Sequence, residues 1–106
     1  MFDTFVKELN VQGGGVRAYD AAARAARARI ATEPDHAAAL LLISFAAQRF
    51  VDAYDDQPLT VEAAGEEFAQ FSALVSGLDA AYEDGSIERK LAALNAAAAS
   101  LAAPRA

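Results

Sequence analysis

Between residues 61 and 82 the apolar residues return at steps of three and four without interruption. This spacing places them on one side of an α-helix, because a helix turns once every 3.6 residues. Thr60 can cap the start of that helix, and Asp84-Gly85-Ser86 offers a left-handed stop followed by the cap of another helix. The seam consists of Val61, Ala64, Phe68, Phe71, Val75, Leu78 and Tyr82. A long helix with one apolar side needs other helices to cover it.

Three further segments show helical periodicity, and short breaks separate them. The first segment ends at Pro34. The second spans about residues 35–56 and ends at Gln57-Pro58-Leu59, and the third follows Ser86. The second is apolar on nearly all sides in its first three turns, which predicts the central helix of the fold. Because loops this short join antiparallel neighbours, we predict an all-α, four-helix up-down antiparallel bundle over residues 16–103. The stripes of the first and last segments are Val16, Tyr19, Ala23, Ala26 and Ile30, and Ile87, Leu91, Leu94, Ala98 and Leu101.

A short amphipathic segment precedes this bundle. It carries Phe2, Phe5, Val6 and Leu9 at helical spacing and ends at Gly13-Gly14-Gly15. We therefore predict a hinged amphipathic arm over residues 1–12 and a single helical domain over residues 1–106. The glycines are expected to be a plain connector, because no strand precedes them and no Lys-Ser/Thr pair follows. The apolar side of the arm can pack on its own bundle or on that of a neighbour.

One stretch carries a family pattern, formed by Tyr19, Ala22, Ile30, Pro34, Ala37, Leu40, Ile43, Ser44 and Ala46. This spacing resembles the second helix of one tetratricopeptide repeat running into the first helix of the next. The resemblance covers about a quarter of the chain. The helix then continues to Asp56, with no glycine turn and no further repeat, so we do not expect a repeat protein.

Composition limits the possible partners. Alanine supplies 29 of the 106 residues, which favours helices but gives a thin core and so favours self-association. The net charge of −6 argues against nucleic acid, because phosphate binding needs a basic surface. The apolar run over residues 37–47, broken by Ser44, is about half of a bilayer span, so we expect no membrane insertion. Without cysteines or a visible secretory leader, the chain is expected in the cytoplasm.

Residues that could catalyse a reaction or bind a metal are few. His36 is the single histidine, and Pro34 lies between it and Glu33, so the match to a Glu-x-x-His metal motif is formal. No Gly-x-Ser-x-Gly elbow is present, and we expect neither an enzyme nor a bound metal or cofactor. Two acidic clusters at helix ends oppose the helix dipole, and they are either solvated or offset by a cation or a basic partner. They are Asp52, Asp55 and Asp56, and Asp79, Glu83 and Asp84.

Two groups of side chains are candidates for contact with a partner or a ligand. Arg17, Arg24 and Arg27 lie within about 80° of one another on their helix and form a basic stripe, which can bind an acidic partner or pair within the chain. With the apolar residues Phe2, Phe5 and Leu9 of the arm, they are candidates for an interaction surface. The aromatic residues of the two central helices either line a pocket or pack in the core. They are Phe45, Phe50, Tyr54, Phe68, Phe71 and Tyr82.

Together these features favour a non-catalytic small helical module that binds another protein or a second copy of itself. The thin core, the heptad-like seams and the apolar arm all favour a homo-oligomer. The Ala- and Arg-rich composition is typical of a bacterial protein. The alternative is a helical bundle that binds a small molecule or a metal ion between its central helices. Nucleic-acid binding through the arginine stripe is a third hypothesis, and it predicts affinity that falls steeply with salt.

Overall fold

The computed structural model describes residues 1–103, and the all-α class is confirmed for them. Five helices form the fold: α1 Asp3–Val11, α2 Val16–Thr32, α3 Ala37–Tyr54, α4 Val61–Asp84 and α5 Ile87–Ala102. A single 3₁₀ turn, Pro34–His36, joins α2 to α3. Proline has no N–H to donate and its ring clashes with the preceding turn, which explains why α2 ends before it.

The predicted caps of α4 and α5 are present. The Thr60 hydroxyl accepts a hydrogen bond from the Ala63 N–H at 3.0 Å. The Ser86 hydroxyl accepts one from the Arg89 N–H at 3.2 Å. Between the two helices Gly85 has a φ of 80°, which glycine adopts because it has no Cβ to clash with its own carbonyl. These local bonds end α4, begin α5 and make the pair an antiparallel hairpin.

The helices are not arranged as the predicted bundle of α2 to α5. α1 packs against both α2 and α4, α2 packs against α3, and α3 packs against α4, so α1 to α4 form a closed ring. α5 lies outside this ring, on α3 and α4. Within residues 1–103 α2 and α5 are not neighbours, and α1 takes the place beside α2 that was predicted for α5.

The segment predicted to be a hinged arm is an integral helix. Phe2, Phe5 and Leu9 are buried, with exposed fractions of 0%, 5% and 1%. A helix of nine residues is too short to be stable alone, so α1 persists by burying this stripe against α2 and α4. These three residues are therefore part of the core and offer no exposed interaction surface in this structure.

The core centres on an aromatic stack between α2 and α3. The rings of Tyr19 and Phe50 lie nearly parallel with 3.8 Å between their centroids. Phe71 of α4 meets the Tyr19 ring edge-on at 5.5 Å. Fully buried alanines are spread along α2 and α3 and let the two helices approach closely along their length. They are Ala23, Ala26, Ala39 and Ala47.

α5 is rotated relative to its predicted orientation. The seam predicted to face the core includes Ile87, Leu91 and Ala98, but all three are exposed, Ile87 at 81% and Leu91 at 57%. Ala97 is the buried residue of this helix instead. Alanine occupies most sides of α5, so the helix can rest on α3 and α4 mainly through Ala93 and Ala97, with Leu94 partly buried beside them.

α3 is covered on one side only. Its inner face is buried, but Leu41 is 40% exposed and Phe45 is 52% exposed on the outer face. The molecule is a slab of 41 × 28 × 18 Å. The thin direction holds about two layers of helices, since packed helices lie about 8–10 Å apart. As a result, the outer side of the helix predicted to be central reaches the surface.

Candidate interaction surface

A groove of about 620 Å³ lies between α3 and α5. Leu42 and Phe45 form its wall on α3, and Ala98 and Leu101 form its wall on α5. Leu41, one turn before Phe45, and Leu91, two turns before Ala98, continue the same sides of the two helices. We call this surface the α3–α5 face, and its residues are Leu41, Leu42, Phe45, Leu91, Ala98 and Leu101.

The α3–α5 face is uncharged. Neither residues 37–48 nor residues 91–103 hold a charged side chain, whereas the whole chain has nine basic and fifteen acidic residues. Small soluble proteins seldom leave a contiguous apolar surface open, and such surfaces mark contacts with other molecules. The combination of exposed bulky residues and absent charge distinguishes this face from the charged helix ends.

Arg49 fastens α5 to α3 at one end of the groove. Its Nη1 donates to the carbonyl oxygens of Ser100 and Leu101, each at 3.3 Å. These carbonyls belong to the last turn of α5, where acceptors have no partner within the helix and the dipole favours a positive charge. Asp52, also at this end, accepts a hydrogen bond from Gln48 Nε2 at 3.0 Å. The polar rim of the groove is thus bonded within the chain, and its walls are apolar.

The six aromatic residues proposed as a pocket lining do not share a pocket. Phe45 lines the groove. Tyr82 instead packs edge-on against Phe2, with 5.4 Å between ring centroids, and Tyr54 lies 4.9 Å from Phe50. The five that belong to the core or pack against it are Phe50, Tyr54, Phe68, Phe71 and Tyr82. Core packing, the other interpretation of these residues, describes all five.

The arginine stripe is exposed on α2. Arg17, Arg24 and Arg27 all lie at the surface. Arg24 Nε pairs with Asp20 at 3.1 Å, with 75% of the Arg24 side chain and 38% of the Asp20 side chain exposed. Among the described residues, no carboxylate forms an ion pair with Arg17 or Arg27. An exposed pair of this kind contributes about 0.3–0.5 kcal/mol to a helix, so the stripe has little structural role.

The acidic residue Asp79, near the end of α4, is offset by the chain itself. Its carboxylate accepts a hydrogen bond from the Phe2 N–H at 2.7 Å and contacts the Met1 amino group at 3.1 Å. The Phe2 ring lies edge-on to His36, with 5.7 Å between centroids. These contacts hold the start of α1 against α4 and account for one of the carboxylates that oppose the helix dipole.

Glu33 links the end of α2 to the start of α3. Arg29 donates two hydrogen bonds to it, from Nε at 2.7 Å and from Nη2 at 2.9 Å. His36 Nδ1 lies 3.1 Å from the same carboxylate. These contacts lower the pKa of Glu33 from 4.5 to about 2, and the hydrogen bonds from Arg29 have a larger effect than the contact with His36.

We expect the contribution of Glu33 to stability to be present above pH 4.5 and to be lost as the pH falls toward 2. The unfolded chain takes up this proton first, so acid favours unfolding in that window. Urea unfolding of the wild type and of Glu33→Gln should differ at about pH 6, and the difference should shrink by about pH 3. An equal difference at both pH values would contradict the assignment.

Two observations concern metal binding and acid–base chemistry within residues 1–103. Within residues 1–103 no group of three or more histidine, aspartate or glutamate side chains is placed to hold a metal ion. Burial of Tyr19, with a smaller effect of the Glu67 charge, raises the pKa of its phenol to about 12. That hydroxyl therefore keeps its proton near neutral pH and is a poor general base.

α3 also raises the question of membranes. Pro34–Tyr54 is long and apolar enough to cross a bilayer by length and composition, with a mean hydropathy of 1.3. The core helix of a folded domain passes the same test. Here the inner side of α3 packs on α2, α4 and α5, and Arg49 and Asp52 lie in its last two turns. The mean hydropathy of α3 is high because apolar residues occupy its exposed side as well, including Leu41 and Phe45.

Comparison with known proteins adds no function to this geometry. No protein-family model matches the chain. No curated protein and no solved structure is significantly similar to it.

Proposed function

We propose that this protein is a non-catalytic helical module that associates with a second copy of itself through the α3–α5 face. The observation that carries the proposal is the groove of about 620 Å³ with apolar walls, in which Phe45 is half exposed and the charged residues Arg49 and Asp52 lie at one end. Apolar cores with an aromatic residue near the centre are typical of protein interfaces.

Charge supports a second copy as the occupant. Two copies of a chain with a net charge of −6 repel each other wherever their acidic surfaces meet. The α3–α5 face avoids this repulsion, because residues 37–48 and 91–103 hold no charged side chain. A face of this kind can meet its own copy about a two-fold axis, which is the commonest symmetry of homo-oligomers.

The shape of the molecule supports the same occupant. The slab is two helices thick, and a second copy placed on the α3–α5 face adds the layer that covers Leu41 and Phe45. Burial of apolar surface stabilises an assembly by about 25 cal/mol per Å². In this proposal the module works in the cytoplasm and enters no membrane, because pairing of two copies covers the outer side of α3.

We expect Phe45→Glu to dissociate the dimer without unfolding the monomer. The substitution places a carboxylate from each copy in the interface, where both lose water and repel each other. The monomer tolerates it because Phe45 is already 52% exposed. The dissociation constant should rise about 100-fold, equivalent to about 2.8 kcal/mol. Size-exclusion chromatography with light scattering measures the mass over a dilution series, and circular dichroism checks the helix content.

Val61→Glu is the matched control for this experiment. Val61 is 86% exposed at the start of α4, outside the α3–α5 face, so the same added charge there should leave the dissociation constant unchanged. Equal effects of the two substitutions would mean that net charge, and not this face, controls association. A wild type that stays monomeric would exclude a second copy as the occupant and turn the search to a foreign helix.

A small ligand is the second candidate occupant. The groove volume of about 620 Å³ falls in the range of about 300–1,000 Å³ that is usual for ligand pockets. Gln48, Arg49 and Asp52 line the groove as well and offer polar groups that could orient a ligand. A ligand that binds only the folded state raises the Tm. A rise in Tm that Phe45→Glu abolishes would support this candidate, and an unchanged Tm across a broad panel of metabolites and amphiphiles would remove it.

A further inference from the structure

We infer that α5 pairs antiparallel with α5 of the second copy, about a two-fold axis that passes between Leu94 and Asn95. This inference rests on the proposed self-association and adds the contacting helix, its direction and its register. The α5 stripe beside the groove consists of Ile87, Leu91, Leu94, Ala98 and Leu101. Three of these residues are exposed and the other two are partly buried, so the stripe lacks a full partner within the chain.

Side-chain size favours the antiparallel direction. Rotation about the axis sets Leu91 opposite Ala98 of the second copy. Ile87 comes opposite Ala102 and lies within one residue of Leu101. The large Leu91 then meets the small Ala98 once on each side of the axis, so that each helix fills the hollow of the other. A parallel pair would set Ala98 against Ala98 and leave a gap, which costs dispersion contacts.

Charge and the helix dipole favour the same direction. The charged residues of α5 are Glu88, Arg89 and Lys90, and all lie in its first turn. A parallel pair would bring both charged turns together and align the two helix dipoles. An antiparallel pair sets each charged turn beside the last turn of the second copy, which carries no basic residue of its own.

α3 completes the interface. The start of α3 lies at the end of α4, where His36 and Tyr82 meet with 5.4 Å between ring centroids. α3 and α5 are thus both antiparallel to α4 and run in the same direction. Two copies then place α3 and α5 of each against those of the other, as in a four-helix bundle. Two helices about 24 Å long and about 10 Å wide give a footprint of about 480 Å². The accessible surface of a ridged helix is larger than its projected footprint. The buried accessible area per copy therefore approaches the value of stable complexes, which is about 800 Å² per partner.

Asn95 lies beside the axis and sets the register. It is exposed in the middle of α5 and is the polar side chain of a stretch otherwise made of leucine and alanine, residues 91–99. Its amide both donates and accepts, so two Asn95 side chains facing each other across the axis can satisfy one another. A paired asparagine in a helix interface lowers stability but selects one register.

Single cysteines test the direction, because the chain contains none. Asn95→Cys is expected to couple to its own copy through a short bismaleimide cross-linker, since residue 95 lies at the axis. Ile87→Cys is expected not to couple to itself, because the two copies of residue 87 lie about 22 Å apart along antiparallel helices. An equimolar mixture of Ile87→Cys and Leu101→Cys is expected to couple. Val61→Cys, exposed outside the face, measures coupling by random collision.

Two outcomes would overturn the inference and leave the proposed function intact. One is coupling of Ile87→Cys to itself, which means a parallel pair. The other is a dimer by light scattering that couples at no α5 position. A wild type that is monomeric by light scattering overturns the inference together with the proposed function. If Asn95→Cys weakens the dimer, a mixture of Leu91→Cys and Ala98→Cys repeats the antiparallel test at two exposed positions that face each other across the axis.

Discussion

Phe50→Ala is expected to lower the free energy of unfolding by about 3–5 kcal/mol. The Phe50 side chain is 1% exposed, with its ring stacked on Tyr19 at 3.8 Å and 4.9 Å from that of Tyr54. Truncation removes both ring contacts and leaves a cavity. The neighbouring alanines cannot refill that cavity, because they have no rotatable side chain to move into it. Urea unfolding followed by circular dichroism measures the loss.

Val61→Ala is the control for this prediction and should change the free energy of unfolding by less than about 0.5 kcal/mol. Val61 is 86% exposed, so its truncation leaves no cavity. A loss below about 1 kcal/mol for Phe50→Ala would contradict its place in the core. It would favour the alternative reading, in which the aromatic residues line a ligand pocket.

Phe2→Ala is expected to cost about 3 kcal/mol or more and to release α1 from the ring of helices. The Phe2 ring is fully buried against His36 and Tyr82, and the Arg29 guanidinium lies 5.8 Å from its centroid. α1 has nine residues and cannot stay helical without such contacts. Urea unfolding measures the cost, and amide hydrogen exchange in residues 3–11 reports the release.

Val11→Ala is the matched control on the same helix. Val11 is 80% exposed at the end of α1, so its truncation should change neither stability nor exchange. Slow exchange of α1 in Phe2→Ala would show that the N-terminal contacts do not hold this helix, and the ring of α1 to α4 would then have another basis.

Sequence periodicity predicted α4 well and α5 poorly, for one physical reason. The bulky residues Phe71, Val75, Leu78 and Tyr82 lie on one side of α4 and are buried as predicted. Val61, the first residue of the predicted seam, is instead 86% exposed. In α5 the bulky residues also share one stripe, but alanine on the other sides packs against α3 and α4 equally well. A hydrophobic pattern predicts which side of a helix is buried only if the residues on the other sides are too polar to be buried.

The position of α1 and the existence of the groove could not be predicted from periodicity, because both depend on contacts between helices. The stripe of α1 predicted a helix with one apolar side, but not that this helix displaces α5 from beside α2. The arginine stripe, Arg17, Arg24 and Arg27, was predicted as a group and lies together at the surface. The groove joins Phe45 to Ala98, which are far apart in the chain. The sequence feature that pointed to the groove was α3 itself. Its first three turns are apolar on nearly all sides, and the domain has too few layers of helices to cover all of them.

Sedimentation velocity of the wild-type protein, over a concentration series at low and at high salt, tests association through the α3–α5 face most directly. We predict a particle of twice 11.1 kDa that dissociates on dilution. Added salt should leave the dimer as stable or make it more stable, because the face carries no charge and salt screens the repulsion between acidic copies. A particle of 11.1 kDa at every concentration, or a dimer that salt dissociates, would contradict this account.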